Sequence, residues 1–165
     1  GYPGGKEIDR LAENGDKRYF RFPRAMKQDA SLNFSYSGLK TAVALHINSL
    51  PKEELQCHLS DIAASFQEAA IEVLVEKTGR AAMEYDIYDV TLSGGVAANR
   101  RLKMLMEERL SKLGGRFYCP PPDLCTDNGA MIAAAGYRRY HLSGPSKLNI
   151  NAVPYLKIQE ASATN

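Results

Sequence analysis

Between Asp89 and Leu102 a strand-like run, Asp89-Val90-Thr91-Leu92, passes through Ser93-Gly94-Gly95 into the helix-like stretch Val96-Ala97-Ala98-Asn99-Arg100-Arg101-Leu102. A buried strand that turns through two glycines into a helix fits an α/β layer and little else. The paired glycines also remove the Cβ atoms that would hold a flat ring or a phosphate off the backbone. The helix that follows offers unpaired N–H groups and the positive end of its dipole. Such turns also serve only to pack a helix closely on a sheet, so the segment by itself leaves nucleotide binding and plain packing open.

The 165 residues, 44% hydrophobic and 24% charged, are enough for one globular domain and its core. No apolar run approaches the roughly 20 residues needed to span a bilayer. Gly1-Tyr2-Pro3-Gly4-Gly5 has neither the basic segment nor the apolar core of a secretory signal. A cytoplasmic protein without a membrane partner is the expectation. Cys57, Cys119 and Cys125 are odd in number and contain no C-x-x-C pair, which argues for reduced thiols rather than a disulfide framework or a cysteine zinc site. A net charge of +2 is too small to imply nucleic-acid binding. Two local clusters stand out: Lys17, Arg18, Arg21, Arg24 and Lys27, and then Arg100, Arg101 and Lys103. Each fits either phosphate contact or a solvated, salt-bridged face.

Turn residues and hydrophobic spacing predict the element order. A helix spans Glu7 to Glu13 and stops at Asn14-Gly15, and extended backbone follows at Tyr19 to Phe22 and Asn33 to Tyr36. A helix from Ser37 to about Ser49 ends before Pro51. The strongest helix, capped by Ser60 and running to about Tyr85, places Ile62, Phe66, Ala70, Val73, Leu74 and Ala81 at helical spacing. A strand at Tyr88 to Leu92, a helix ended by Gly114-Gly115, a strand at Arg116 to Cys119 and a helix from Gly129 to His141 complete a parallel α/β core with right-handed crossovers. The region divides into an extended and helical part over 1–58, an α/β nucleotide-binding core over 59–149 and a tail over 150–165. In the tail, Val153, Tyr155, Leu156 and Ile158 are apolar, and Glu160 to Asn165 is expected to fray.

Asp127, in Cys125-Thr126-Asp127-Asn128-Gly129-Ala130-Met131, falls at the carboxyl end of the second strand, where open α/β sheets gather ligands, and so shares a face with Gly94-Gly95. There it fits the N-cap of the last helix, or a ligand for a metal or a ribose hydroxyl. His46, His58 and His141 have no metal-binding spacing, and Ser37 and Ser93 lack the elbow of a serine hydrolase. Asn99, one turn into its helix, carries an amide suited to a base or a carboxylate, or simply faces solvent.

Four segments together resemble the tRNA N6-adenosine threonylcarbamoyltransferase family, long labelled O-sialoglycoprotein endopeptidases: Tyr2-Pro3-Gly4-Gly5, Phe34-Ser35-Tyr36-Ser37-Gly38-Leu39-Lys40-Thr41, Ser93 to Arg100, and Cys125 to Met131. The forms are similar to the bacterial and organellar branch. The resemblance implies a two-lobed fold like that of actin, sugar kinases and heat-shock ATPases, with this chain as an incomplete C-terminal lobe and nucleotide held between the lobes. It implies transfer of threonylcarbamoyl from threonylcarbamoyl-AMP to N6 of adenosine 37 in tRNAs reading codons that begin with A. Residue by residue, it assigns nucleotide or substrate contact to Gly5, Asp9, Gly94, Gly95 and Asn99, and metal ligation to Asp127. The implied ligands are threonylcarbamoyl-AMP or ATP/ADP and one divalent metal, iron or zinc, which would polarise the adenylate.

The chain departs from the family pattern in lacking the H-x-x-x-H histidines and the Ser-Gly-Gly-His loop, both of which belong to the upstream part. The expectations that follow are no stable metal and no catalysis by this chain alone, with no catalytic residue to assign within it. The expected partners are its own N-terminal lobe, tRNA, the accessory subunits of the transfer complex, and a second copy through an exposed sheet edge. The family's older name keeps a metallopeptidase as the alternative, although no H-E-x-x-H is present. A noncatalytic partner-binding lobe is a third.

Overall fold

The computed structural model describes residues 4–149, 151 and 154–155. The opening Tyr2-Pro3 and most of the expected tail, including Val153, Leu156, Ile158 and Glu160 to Asn165, lie outside the described residues. The chain divides into two compact units, one up to Thr126 and one from Asp127 onward.

The first unit is organised around one long helix. Its helices are α1 (Gly4–Ala12), α2 (Ser37–Ser49), α3 (Lys52–Cys57), α4 (Leu59–Glu84) and α5 (Arg100–Lys112), and its strands are β1 (Asp89–Thr91) and β2 (Arg116–Tyr118). The α4 helix buries residues on two opposite sides. Ile71, Val75 and Ala82 pack with Leu102, Met106 and Leu110 of α5 and with half-buried Val90 and Phe117 of the strands. Ile62 and Ala69 pack with Phe22 and with Leu39 of α2. A helix buried on both sides carries apolar residues nearly all round, and this explains why α4 reads so clearly in the sequence.

Strands β1 and β2 run parallel, with Asp89 opposite Arg116, Val90 opposite Phe117 and Thr91 opposite Tyr118. The expected α/β class with a parallel pair is therefore observed, as a small sheet in a mostly helical unit. Two glycines are required by their surroundings. A Cβ on Gly115 would lie 2.4 Å from the Tyr88 carbonyl oxygen at the entry to β2, and one on Gly15 would lie 2.0 Å from the Ser60 carbonyl oxygen.

Several boundaries differ from the sequence reading. Residues 19–22 and 33–36 are not strands; they belong to irregular chain laid against α4. Tyr19 stacks on His58 at 4.4 Å, Phe20 on His46 at 3.9 Å, and Phe22 is core, so the aromatic alternation anchors a loop instead of building a sheet. His58 rather than Ser60 is the N-cap of α4; the helix begins at Leu59, and the first-turn carboxylate of Asp61 accepts from the Asp16 backbone N–H and pairs with the His58 ring. The short helix α3 was not expected.

A 3-10 turn at Pro122–Leu124 closes the first unit; in the second, α6 (Gly129–Ser143) ends at Gly144, whose φ is +74°. Asn128 caps it, accepting from the Met131 N–H at 2.9 Å, so Asp127 is not the cap. An Asx residue is selected here as expected, but one place later, because the helix starts at Gly129. Among the described residues no helix is long and apolar enough to cross a membrane.

Candidate functional site

The Gly-Gly turn does not pass directly into α5. Gly94 adopts φ +89° and ψ 175°, a combination open essentially to glycine alone, and a 3-10 turn over Gly95–Ala98 intervenes. Ala97 in that turn is fully buried, and its carbonyl oxygen faces the Cys119 thiol. A Cβ at either Gly94 or Gly95 would meet no atom within 4 Å. Close packing against the protein is therefore not why glycine stands at these two positions: Gly94 is required by its backbone angle, and Gly95 faces open space. Beside them, at the carboxyl ends of β1 and β2, a cavity of ≈ 420 Å³ is lined by Thr91, Leu92, Ser93, Phe117, Tyr118, Cys119 and Pro120. This is the sheet edge at which α/β proteins collect ligands.

Asn99 is not one turn into the helix, and it does not face solvent freely. It is the N-cap of α5: its Oδ1 accepts from the Leu102 N–H at 2.8 Å. Its two amide protons are both used, one on Asp9 Oδ1 at 3.1 Å and one on Gln67 Oε1 at 2.7 Å. One side chain thus joins α1, α4 and α5. Asp9 accepts a second bond, at 3.3 Å, from Arg100 Nε, and Arg100 also grips Glu13 with both terminal nitrogens, at 2.8 and 3.0 Å. These bonds hold the Glu13 carboxyl below the usual range and raise the Arg100 guanidinium. Arg101 pairs with Glu68 side-on, through Nε at 2.8 Å and Nη2 at 2.7 Å. The Arg100–Arg101 cluster is therefore largely consumed by salt bridges.

Gly5 lies one helical turn before Asp9 on α1, so the two positions share a face. The first turn of α1, at Gly4 and Gly5, presents backbone N–H groups with no intrahelical partner. The structure thus brings Asp9 and Asn99 into contact and puts Gly5 on the Asp9 side of α1. It puts Gly94 and Gly95 one 3-10 turn before Asn99. Asp127 belongs to the second unit, so the face expected to join it to Gly94-Gly95 spans the two units and stays an expectation.

Gln67 was missed by the sequence reading. It is 9% exposed on a helix flank otherwise made of Ala, Phe and Ile, and a polar side chain in such a stretch was the available signal. Among the described residues no three His, Cys, Asp or Glu side chains converge to hold a metal ion. His46 and His58 are engaged with Phe20, Tyr19 and Asp61, and all three cysteines are free thiols. The described residues do not by themselves make a site for the metal implied by the resemblance.

The chain's similarity to known proteins is specific. A family model described as tRNA N6-adenosine threonylcarbamoyltransferase (TsaD) matches residues 1–134. A protein of that name from Thermosipho africanus is 46% identical over 158 residues, covering 96% of this chain and 47% of the relative. Those from Magnetococcus marinus and Desulfitobacterium hafniense are 43% and 46% identical, covering 97% and 96% of this chain and 45% and 46% of their own length. The chain spans about half the length of the curated relatives it matches.

Proposed function

We propose a function from one premise: this chain belongs to the tRNA N6-adenosine threonylcarbamoyltransferase family. On that reading it supplies the nucleotide-facing wall of a site that moves threonylcarbamoyl from threonylcarbamoyl-AMP to N6 of adenosine 37 in tRNA. The observation that carries the reading is the Asp9–Asn99–Gln67 tie beside an unobstructed Gly94-Gly95 turn.

The roles follow from what each group has left to offer. The Asp9 carboxylate accepts from Asn99 and Arg100 and retains acceptor capacity, so it is suited to the two hydroxyls of a ribose. Gly94 and Gly95 leave the backbone bare, so that a flat base can lie against it. Gly5 offers N–H groups at a helix start, where the dipole favours a phosphate. With both N–H groups committed, Asn99 holds Asp9 in place and keeps one Oδ1 lone pair for the adenylate.

In the transfer itself, N6 of the tRNA adenine attacks the carbamoyl carbon. The new C–N bond forms, the bond from that carbon to the phosphate oxygen breaks, N6 gives up a proton, and AMP departs. The residues of this chain bind and orient the adenylate for that attack, a contribution of position. Of the implied metal's ligands this chain would supply Asp127, and the metal when bound would polarise the adenylate. Catalysis then depends on a lobe carrying the remaining groups, and this chain alone is inactive.

The test joins this chain to the N-terminal half of the Thermosipho africanus relative and supplies accessory subunits, threonylcarbamoyl-adenylate and unmodified tRNA. Threonylcarbamoyladenosine that is lost in Asp127→Ala supports the transferase. Cleavage of a sialoglycoprotein without tRNA modification would favour a peptidase, and neither activity would favour a noncatalytic lobe.

A further inference from the structure

The segment between Ala12 and Ser37 contains neither helix nor strand, a length of irregular chain that is uncommon in a compact domain unless it has work to do. It is nevertheless firmly held. It runs along α4 as a strap: the Asp16 N–H donates to Asp61, the Phe20 N–H donates to Ser65 Oγ at 3.1 Å, and Arg24 and Lys27 both grip Glu72. Farther along, Arg80 donates to the carbonyls of Lys27 and Asp29, and Lys77, only 1% exposed, donates to those of Ser31 and Asn33 at 2.6 Å each.

Between its acids, Glu13 and Asp16 before and Asp29 after, the strap presents charge of one sign. From Lys17 to Gln28 it carries five cations and no acid, against a net charge of +2 for the whole chain. Lys17, Arg18 and Arg21 are exposed, and none of them forms an ion pair among the described residues. Arg24 and Lys27 share the single carboxylate of Glu72, which leaves that triad positive. Glu108, whose carboxyl is held down first by Lys112 and only last by Lys17, is paired with Lys112. Arg21, Arg24 and Lys27 border a groove of ≈ 700 Å³ together with the carboxylates of Asp29 and Glu72, three cations against two acids. The rungs from Asp61 to Glu72 set the row at about 16 Å, at 1.5 Å per helical residue. A row of that length faces several phosphates of an RNA backbone, which is A-form where it is paired.

We infer that the strap over residues 17–27 is the surface on which this chain docks the phosphate backbone of an RNA. The inference rests on the transferase reading for the kind of polymer, and on the strap for the place. Tyr19, Phe20 and Phe22 are engaged inward by His58, His46 and the core, so stacking on bases is not what the strap offers. It reads charge and spacing, not base identity.

The test is fluorescence anisotropy of labelled, unmodified tRNA titrated with this chain between 50 and about 200 mM salt. Arg18→Glu/Arg21→Glu is compared with Lys40→Glu/Lys52→Glu, which changes the net charge equally at exposed positions outside the strap. Circular dichroism confirms that both variants are folded. The strap variant is expected to bind at least about 10-fold more weakly and to flatten the salt dependence by about two contacts, with the control within about twofold of native. The proposal is overturned by native chain that does not bind tRNA at 50 mM salt, or by equal weakening in the two variants. It is equally overturned if the strap variant keeps tRNA binding while losing anionic phosphatidylserine vesicles. None of these readouts requires transfer, so failure of the docking surface and failure of the transferase reading are distinguishable.

Discussion

The amide of Asn99 donates to the carboxylate of Asp9 at 3.1 Å across ninety positions of sequence, and the same side chain caps α5 through Leu102. One residue thereby ties the start of α5 to α1, and through Gln67 to the central helix. Losing it removes a cap, worth about 1 kcal/mol, and leaves two acceptors without their donor. Asn99→Ala is expected to cost about 2–3 kcal/mol and to lower the melting temperature by about 5–10 °C, read by calorimetry. Asn99→Asp separates the two roles. It keeps the cap oxygen but turns a carboxylate toward Asp9 and Gln67, so hydrogen exchange should accelerate in α1 while α5 stays protected.

Gly94 and Gly95 separate backbone need from ligand access. Gly94→Ala forces a Cβ onto a residue at φ +89° and is expected to cost about 1–3 kcal/mol. Gly95→Ala has open space and an ordinary φ, so its stability should stay within about 0.5 kcal/mol of native. In the protein rejoined to an upstream half, Gly95→Val should nevertheless raise the KM for the adenylate. An unchanged KM would mean that no ligand approaches this turn.

Lys77 makes a sharper demand. Its buried ammonium satisfies two carbonyls of the strap, so Lys77→Met should leave the helix intact and release the loop. Limited proteolysis is expected to cut faster between residues 27 and 34, with little change in helical circular dichroism.

Acid should loosen the same strap. At Asp61, hydrogen bonds from the Asp16 backbone N–H and then His58 hold the carboxyl below its ordinary 3.8. Burial pushes Glu72 up, but Lys27 and Arg24 outweigh it and hold the carboxyl below 4.5. Both folded values lie under the unfolded ones, so the stabilisation is fully present above the ordinary carboxylate values. It is lost as the pH falls through the depressed ones, where the unfolded chain binds protons first. Protection from hydrogen exchange over residues 16–33, relative to the intrinsic rate at each pH, should therefore fall below about pH 4.5. Glu72→Gln should remove the part of that pH dependence that lies around Arg24 and Lys27.

The elements that could be read from the sequence are those whose own periodicity and stop signals decide them. Helix α4 declares itself through apolar residues on both flanks, α2 runs from Ser37 to Ser49 as read, and the parallel pair follows from strands separated by a helix. The misreadings occur where tertiary contacts decide. Tyr19, Phe20 and Phe22 alternate with cations as a strand would, but their partners are two histidines and a helix flank. Asn99 looked like a helical surface residue because the 3-10 turn that delays α5 has no signature in Gly-Val-Ala-Ala. Gln67 acquires its meaning only from Asn99, 32 positions later. Gly94, Gly95 and Asn99 stand out from the residues themselves and Gly5 and Asp9 only through the resemblance, and the tie between Asp9 and Asn99 gives two of them a physical connection.

The central claim is that the Asp9–Asn99 tie orients an adenylate for transfer. The most direct measurement is the rate of threonylcarbamoyladenosine formation on tRNA, by mass spectrometry of digested nucleosides, for the chain rejoined to a relative's upstream half. Native protein is expected to modify adenosine 37. Asn99→Ala should fall by at least about 100-fold in kcat/KM, the equivalent of about 2.7 kcal/mol, at a temperature where calorimetry shows it folded. A folded Asn99→Ala variant that modifies tRNA at the native rate would contradict the account.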